Sequence, residues 1–179
     1  HTGGSLGISS KGLSAEVTTS SAPLAERVAR LLEELYGVKA EVFSEQKSSL
    51  KKNVLYTVKV PELSERILLE LGIISFDGQN HRQIVEGIDP YLVEQECCKV
   101  SYLAGAFLAC GSVSVPAAAE GRNLGYHLAF WLSGEKMAQD IRQLLSHFNI
   151  SAKAARKKSG YTVYLKEGEG IADFLALVG

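Results

Sequence analysis

Tyr102-Leu103-Ala104-Gly105-Ala106-Phe107-Leu108-Ala109-Cys110-Gly111 closes a helix that the spacing predicts from about Tyr91 to Ala109. Small side chains at Ala104, Gly105 and Ala109 leave room for a second helix backbone to come close, because interaxial distance is set by the residues at the contact. The stretch therefore reads first as a helix–helix packing device. The residues that follow it are echoed near the start of the chain. Gly3-Gly4-Ser5-Leu6 corresponds to Cys110-Gly111-Ser112-Val113, and Leu13-Ser14-Ala15-Glu16-Val17 to Tyr126-His127-Leu128-Ala129-Phe130. Leu24, Ala25, Val28, Leu31, Leu32 and Leu35 correspond to Met137, Ala138, Ile141, Leu144, Leu145 and Phe148, and Tyr56-Thr57-Val58 recurs as Tyr161-Thr162-Val163. An apolar pattern that persists through four elements indicates a duplicated unit.

Each unit reads as strand, strand, helix, strand, strand, helix. Leu13, Ala15, Val17 and Tyr126, Leu128, Phe130, Leu132 alternate with period two, the signature of a half-buried strand. Ser20-Ser21 and Pro23 open a helix whose apolar positions from Leu24 to Leu35 follow three-and-four spacing, and Gly37 ends it. Met137 to Phe148, closed by Asn149, repeats this. Val54 to Val60 and Tyr161 to Leu165 are the fourth strands; Leu63 to Leu71 and Ile171 to Val178 are the closing helices. Between the repeats, Ile73 to Pro90 carries turn signals at Asp77-Gly78 and Asp89-Pro90 and reads as a linker with one short helix. The expected organisation is a first repeat over 1–73, a linker over 74–90 and a second repeat over 91–179.

The 179 residues, 46% of them hydrophobic and 22% charged, are enough to bury a core without staples. No apolar run reaches membrane-spanning length, and His1-Thr2-Gly3-Gly4 has no basic or apolar signal-peptide region. Cys97, Cys98 and Cys110 do not make a disulfide framework, so a reducing, cytoplasmic setting is expected, with Cys97 and Cys98 buried and unreactive. Net charge is −1, which confines any nucleic-acid site to a local patch.

Leu103, Ala104, Gly105, Ala109 and Gly111 resemble the LAGLIDADG motif of homing endonucleases, whose two copies pack at the centre of the fold. The resemblance implies an α+β fold of two pseudo-symmetric ββαββα repeats, with antiparallel sheets forming a saddle along the DNA major groove. In active members the last acidic residue of the motif binds the catalytic divalent metal. That position falls on Cys110 here, and its counterpart in the first repeat on Gly3. Neither offers the hard oxygen ligand Mg²⁺ demands, and metal-assisted phosphodiester hydrolysis needs such carboxylates. A chain without catalysis, metal or cofactor is expected, with Cys110 a small buried apolar residue.

The sequence also resembles, over nearly its whole length, the WhiA (DUF199) family of bacterial regulators of sporulation and cell division. The residues that carry this are Lys47-Ser48-Ser49-Leu50-Lys51-Lys52-Asn53, Cys97-Cys98-Lys99, Tyr102 to Leu108, Gly111-Ser112-Val113, Gly125-Tyr126-His127-Leu128 and Ile171-Ala172-Asp173-Phe174-Leu175. The family pattern places a motif helix before Thr2-Gly3-Gly4-Ser5 and a helix-turn-helix domain after Gly179, so a fragment is expected. The resemblance implies a DNA-binding domain of a transcription regulator acting at the nucleoid. The other reading is a platform bridging the helix-turn-helix domain to another regulator.

Charge placement offers an independent indication of where DNA would sit. Lys47, Lys51, Lys52 and Lys59 fall in one acid-free stretch, and Lys153, Arg156, Lys157 and Lys158 in another, at equivalent hairpins. Acids gather instead at Glu26, Glu33, Glu34, Glu62, Glu65 and Glu70, read as helical. A phosphate-contacting face requires such segregation, although lysines on strand edges also serve solubility. Glu41 and Glu45, in phase with Lys39 and Lys47, oppose the DNA reading locally. Arg122 and Arg156 are the candidates for base edges, since lysine suits phosphate better. Trp131 and His127 alternate against Leu128 and Phe130, so they face the groove if the latter face the helices; Trp131 is either a contact or shielded by a neighbour.

Overall fold

The computed structural model describes residues 4–9, 12–46, 54–63, 65–114 and 125–179. The chain divides into two compact units, the first running to Ile84 and the second from Val85 to Gly179.

In the first unit, strands β1 (Gly4–Ser9) and β2 (Gly12–Thr19) lead into helix α1 (Ala22–Tyr36), then β3 (Glu41–Gln46), β4 (Val54–Leu63) and α2 (Glu65–Glu70). The strands form one antiparallel sheet in the order β1-β2-β4-β3. Helix α1 begins where the sequence predicts: the Ser21 hydroxyl accepts the Leu24 N–H at 3.4 Å, satisfying a donor that the first turn leaves orphaned. It ends at Gly37 with φ 65°, where the Gly37 and Val38 N–H groups donate to the Glu33 and Leu32 carbonyls, a closure that needs a left-handed residue. The apolar side of the sheet and the helices bury Val60, Ile67, Leu68 and Ile74.

The second unit holds a short 3₁₀ helix (Pro90–Val93), α3 (Glu96–Cys110), β7 (Gly111–Ser114), β8 (His127–Leu132), α4 (Glu135–His147), β9 (Lys153–Lys157), β10 (Gly160–Leu165) and α5 (Gly168–Val178). Its sheet has the order β7-β8-β10-β9, the same as in the first unit. The duplication holds at the level of register. Gly4 lies opposite Val17 and Gly111 opposite Phe130; Val17 pairs with Val58 and Phe130 with Val163. On the outer side, Val58 pairs with Val42 and Val163 with Ala154. Among the described residues the core of this unit is the larger. Leu128, Phe130, Leu132 and Val163 from the sheet meet Leu103, Ile141, Leu145 and Phe174 from the helices, and Phe107, Phe130 and Phe174 interlock edge to face with centroids 5.3 to 5.8 Å apart.

Three places differ from the sequence expectation. The segment read as a linker forms a small hairpin, β5 (Ile74–Phe76) and β6 (Arg82–Ile84). Its turn is held by Asp77, whose Oδ1 accepts the N–H groups of Gln79 and His81 at 2.9 and 2.8 Å. The His81 backbone donor, more than any other contact, holds this carboxyl below its ordinary range. Helix α3 starts at Glu96 rather than near Tyr91, because Gln95 adopts extended backbone (φ −87°, ψ 153°) and Asp89 caps Tyr91 into a separate 3₁₀ turn. Glu62 lies at the end of β4, not on a helix. Among the described residues no helix is long and apolar enough to cross a membrane.

Candidate nucleic-acid interface

Residues directly opposite on antiparallel strands project to the same face, so the registers sort every side chain of each sheet. In the second unit, Leu128, Phe130 and Leu132 pair with Leu165, Val163 and Tyr161 and face the helices. The other face carries Ser112, Ser114, His127, Ala129, Trp131, Thr162, Tyr164, Lys153, Ala155 and Lys157. Lys166 joins it, since its ammonium lies over the Tyr164 ring at 5.6 Å. His127 stacks on the same ring, 5.8 Å away with planes 19° apart. Trp131 is 53% exposed. This open face thus holds three lysines and three aromatic rings, with no carboxylate at any of its register positions.

The same sorting in the first unit gives the opposite charge. Glu16, Lys59 and Glu41 lie across from one another, as do Thr18, Thr57 and Phe43, with Glu45 opposite Leu55. Lys59 is not a free cation: its Nζ is 3.2 Å from Glu16 Oε1, and Glu41 is its partner on the other side. Because the two registers match, Glu41 and Glu45 occupy the places that Lys153 and Lys157 hold in the second unit. One face presents three carboxylates around a paired lysine; the other presents lysines alone.

The other cationic candidates divide accordingly. Lys158 is exposed in the turn after β9. Arg156 lies opposite Tyr161, on the side of the sheet packed by helices, in a hollow lined by Glu135, Gln139 and Arg142; the register separates it from Lys153 and Lys157. Lys47, Lys51, Lys52, Arg122 and Gly3 lie outside the described residues. Tyr164 and Lys166 were missed by sequence reasoning, although alternation from Trp131's partner Thr162 through 164 to 166 would have found them.

The residues singled out on α3 serve two directions. Leu103 is fully buried in its own unit, and a Cβ on Gly111 would overlap the Phe107 ring, so both belong to that core. Gly105 and Ala109 are exposed and Ala104 half-buried; a Cβ on Gly105 would meet open space, and Leu108 beside them is 58% exposed. Cys110 is half-buried against the core, and its thiol donates to the Ala106 carbonyl at 3.1 Å. Cys97 is exposed, contrary to expectation, because its place in the first turn of α3 faces away from the core. Cys98 is partly covered, and that burial together with the neighbouring Cys97 pushes its thiol above the ordinary range.

Comparison with known proteins accounts for this architecture. Residues 1–74 match the WhiA N-terminal LAGLIDADG-like domain and residues 99–179 the WhiA LAGLIDADG-like domain. The chain is 36% identical over 176 residues to the probable cell division protein WhiA of Brevibacillus brevis, covering 98% of this chain and 53% of that protein. It is 37% identical to the Bacillus cytotoxicus protein of the same name, with the same coverage. It thus spans about half the length of the curated relatives it matches. Among solved structures, the N-terminal LAGLIDADG domain of DUF199/WhiA superposes with TM-score 0.70 at 23% identity, over 99% of this chain and 75% of that one. The homing endonuclease I-WcaI bound to its DNA recognition sequence superposes with TM-score 0.60 at 14% identity, over 98% and 75%. Matching family models over both units, relatives above one-third identity over nearly the whole chain, and a shared fold lead to one conclusion: this chain belongs to the WhiA family and carries its LAGLIDADG-like region.

Proposed function

We propose that this region is a non-catalytic DNA-binding domain of a bacterial transcription regulator acting in cell division and sporulation at the nucleoid, and that its DNA contact lies on the open sheet face of the second unit. The observation that carries this reading is the acid-free set Lys153, Lys157 and Lys166 beside Trp131 and Tyr164. Phosphate contact supplies most sequence-independent affinity for DNA. Edge protection alone does not dictate lysine here, because charges of the other sign serve on the matching edge of the first unit. The equivalent edge strand β3 carries glutamates at the same places, so the sign is free to answer to a ligand. Duplex DNA is the partner suggested by the homing endonuclease that shares the fold. Lys47, Lys51, Lys52 and Arg122 would add contacts, while Ala104, Gly105 and Ala109 would seat a second motif helix. The repeats assigned to 1–73 and 91–179, joined through 74–90, are the units of this arrangement.

Cys110 at the metal-ligand position of the motif supports a domain without nuclease chemistry, since a half-buried thiol donating to a carbonyl is no substitute for a hard oxygen ligand. Incubation with duplex DNA and Mg²⁺ is expected to give no specific cuts. DNA binding itself is tested by fluorescence anisotropy on a random duplex across salt concentrations. Affinity that falls steeply with salt supports the reading; salt-independent affinity, or none with the protein folded, transfers the function to protein partners.

A further inference from the structure

We infer that the open sheet face of the second unit is a stacking platform for single-stranded nucleic acid, with an unpaired base seated on Trp131 and the phosphates followed by Lys153, Lys157 and Lys166. This rests on the DNA-binding reading above and specifies the form of the ligand. The argument starts from the neighbours of Trp131. Opposite it on β10 stands Thr162, and beyond that on β9 Ala155; two residues away along its own strand stand Ala129 and Ser133. All four are small. Trp131 therefore has no tall side chain directly beside it, with Tyr164 and Lys157 only diagonally placed, and it stays 53% exposed on an inner strand. A sheet that only needed to protect itself would not leave its single tryptophan in this position, because burying such a ring is among the larger favourable contributions to a fold.

The surroundings fit a planar, anionic polymer. A shallow hollow runs from Trp131 past Ser133, Ser159 and Gly160 to Lys157, so a ring laid on the indole has a cation at its rim. The second aromatic group, His127 stacked on Tyr164 with Lys166 above that ring, lies on the next pair of strand positions and offers a second ledge. Lys153 and Lys157 flank Ala155 at two residues on either side, about 13 Å apart along the strand, on a line parallel to the aromatic positions. Aromatic rings interleaved with lysines on a sheet face are the arrangement that binds single strands, since every base has a π-face while a paired base in a duplex does not expose one.

Trp131 is the one tryptophan of the chain, so its fluorescence reports the site directly. The 179-residue chain is titrated with oligo(dT) of about 16 nucleotides, the upper end of the usual site size for one such platform, and with a random duplex of the same length. The expected result is quenching of Trp131 emission by oligo(dT) that saturates together with fluorescence anisotropy of the labelled strand. Trp131→Ala is expected to weaken oligo(dT) binding roughly 5- to 150-fold, the loss of one base stack, and to weaken duplex binding less, with Trp131→Phe retaining most of the affinity. Duplex binding without oligo(dT) binding overturns the stacking proposal and leaves the DNA-binding reading standing. Oligo(dT) binding that neither quenches Trp131 nor responds to Trp131→Ala also overturns it, as binding by charge alone. If neither nucleic acid binds, both readings fall.

Discussion

Reversing Lys153 and Lys157 to glutamate gives the second sheet the charges that the first already carries at Glu41 and Glu45. The cost to DNA binding follows from counting phosphate contacts. Lys153, Lys157 and Lys166 on the face and Lys158 in the adjoining turn supply at most four. Each neutralised phosphate contributes about −0.9 to the slope of log K against log salt, giving about −3.6 from this face. Raising salt from about 50 to 200 mM then weakens the contribution of this face about 150-fold in the native chain, and in the Lys153→Glu/Lys157→Glu variant, where it has a slope near −1.8, only about 12-fold. Referred to molar salt, the same relation makes the variant about 200-fold weaker than the native chain at 50 mM and about 20-fold weaker at 200 mM. Folding should be unaffected, since exposed substitutions of this kind usually stay within about 0.5 kcal/mol. Anisotropy on a labelled random duplex measures both slopes, with circular dichroism to confirm the fold. Equal slopes for the two proteins would refute the assignment of phosphate contact to this face, and a salt-insensitive native chain would refute DNA binding by charge altogether.

The converse substitution, Glu41→Lys/Glu45→Lys, is expected to leave the salt slope unchanged in the same assay; a slope steeper by about two would mean that the first sheet also lies against phosphate. Phe174→Ala removes a fully buried ring that meets Phe107 and Phe130 edge to face and should cost about 3 to 5 kcal/mol in urea denaturation. The hairpin at Asp77 should respond to pH. Its carboxyl is held below the ordinary range, chiefly by the His81 N–H, so its contribution is fully present above the unfolded value of about 3.9 and is lost as pH falls through the lower folded value. Amide exchange at Gln79 and His81 should accelerate across that acidic window, and Asp77→Ala should abolish the dependence.

Much of this fold was legible in the sequence because burial writes a period into it. The alternation of Leu128, Phe130 and Leu132, and the three-and-four spacing of Met137, Ala138, Ile141, Leu144 and Leu145, mark positions that the structure buries. The matching of Tyr56-Thr57-Val58 with Tyr161-Thr162-Val163 is reproduced by the register. The hairpin at residues 74–84 was not legible, since three-residue strands are too short to show a period and their order rests on the local hydrogen bonds of Asp77. The break between the 3₁₀ turn and α3 was hidden for the same reason. The site was legible only in part. Runs of lysine in sequence suggested Arg156 as a companion of Lys153 and Lys157, whereas adjacent strand residues point to opposite faces and the lysine that shares their face, Lys166, follows the end of the next strand.

The contrast between the two units also says which of their features report on function. Positions facing the helices keep their character in both: Val17 and Phe130, Val58 and Val163, Val60 and Leu165 are all apolar. Exchanging any of them for a charge would forfeit about 1.5 to 3 kcal/mol of burial per side chain and strand an ion in the core. The open-face positions carry no such constraint. An exposed ion pair such as Lys59 with Glu16, each side chain more than 40% exposed, is worth about 0 to 1 kcal/mol, so folding is nearly indifferent to the sign chosen there. Two copies of one scaffold can therefore hold glutamates at one pair of edge positions and lysines at the other with little effect on stability. What folding does not decide is left to binding, and the lysine face with its bare tryptophan is where an anionic, ring-bearing partner has the most to gain.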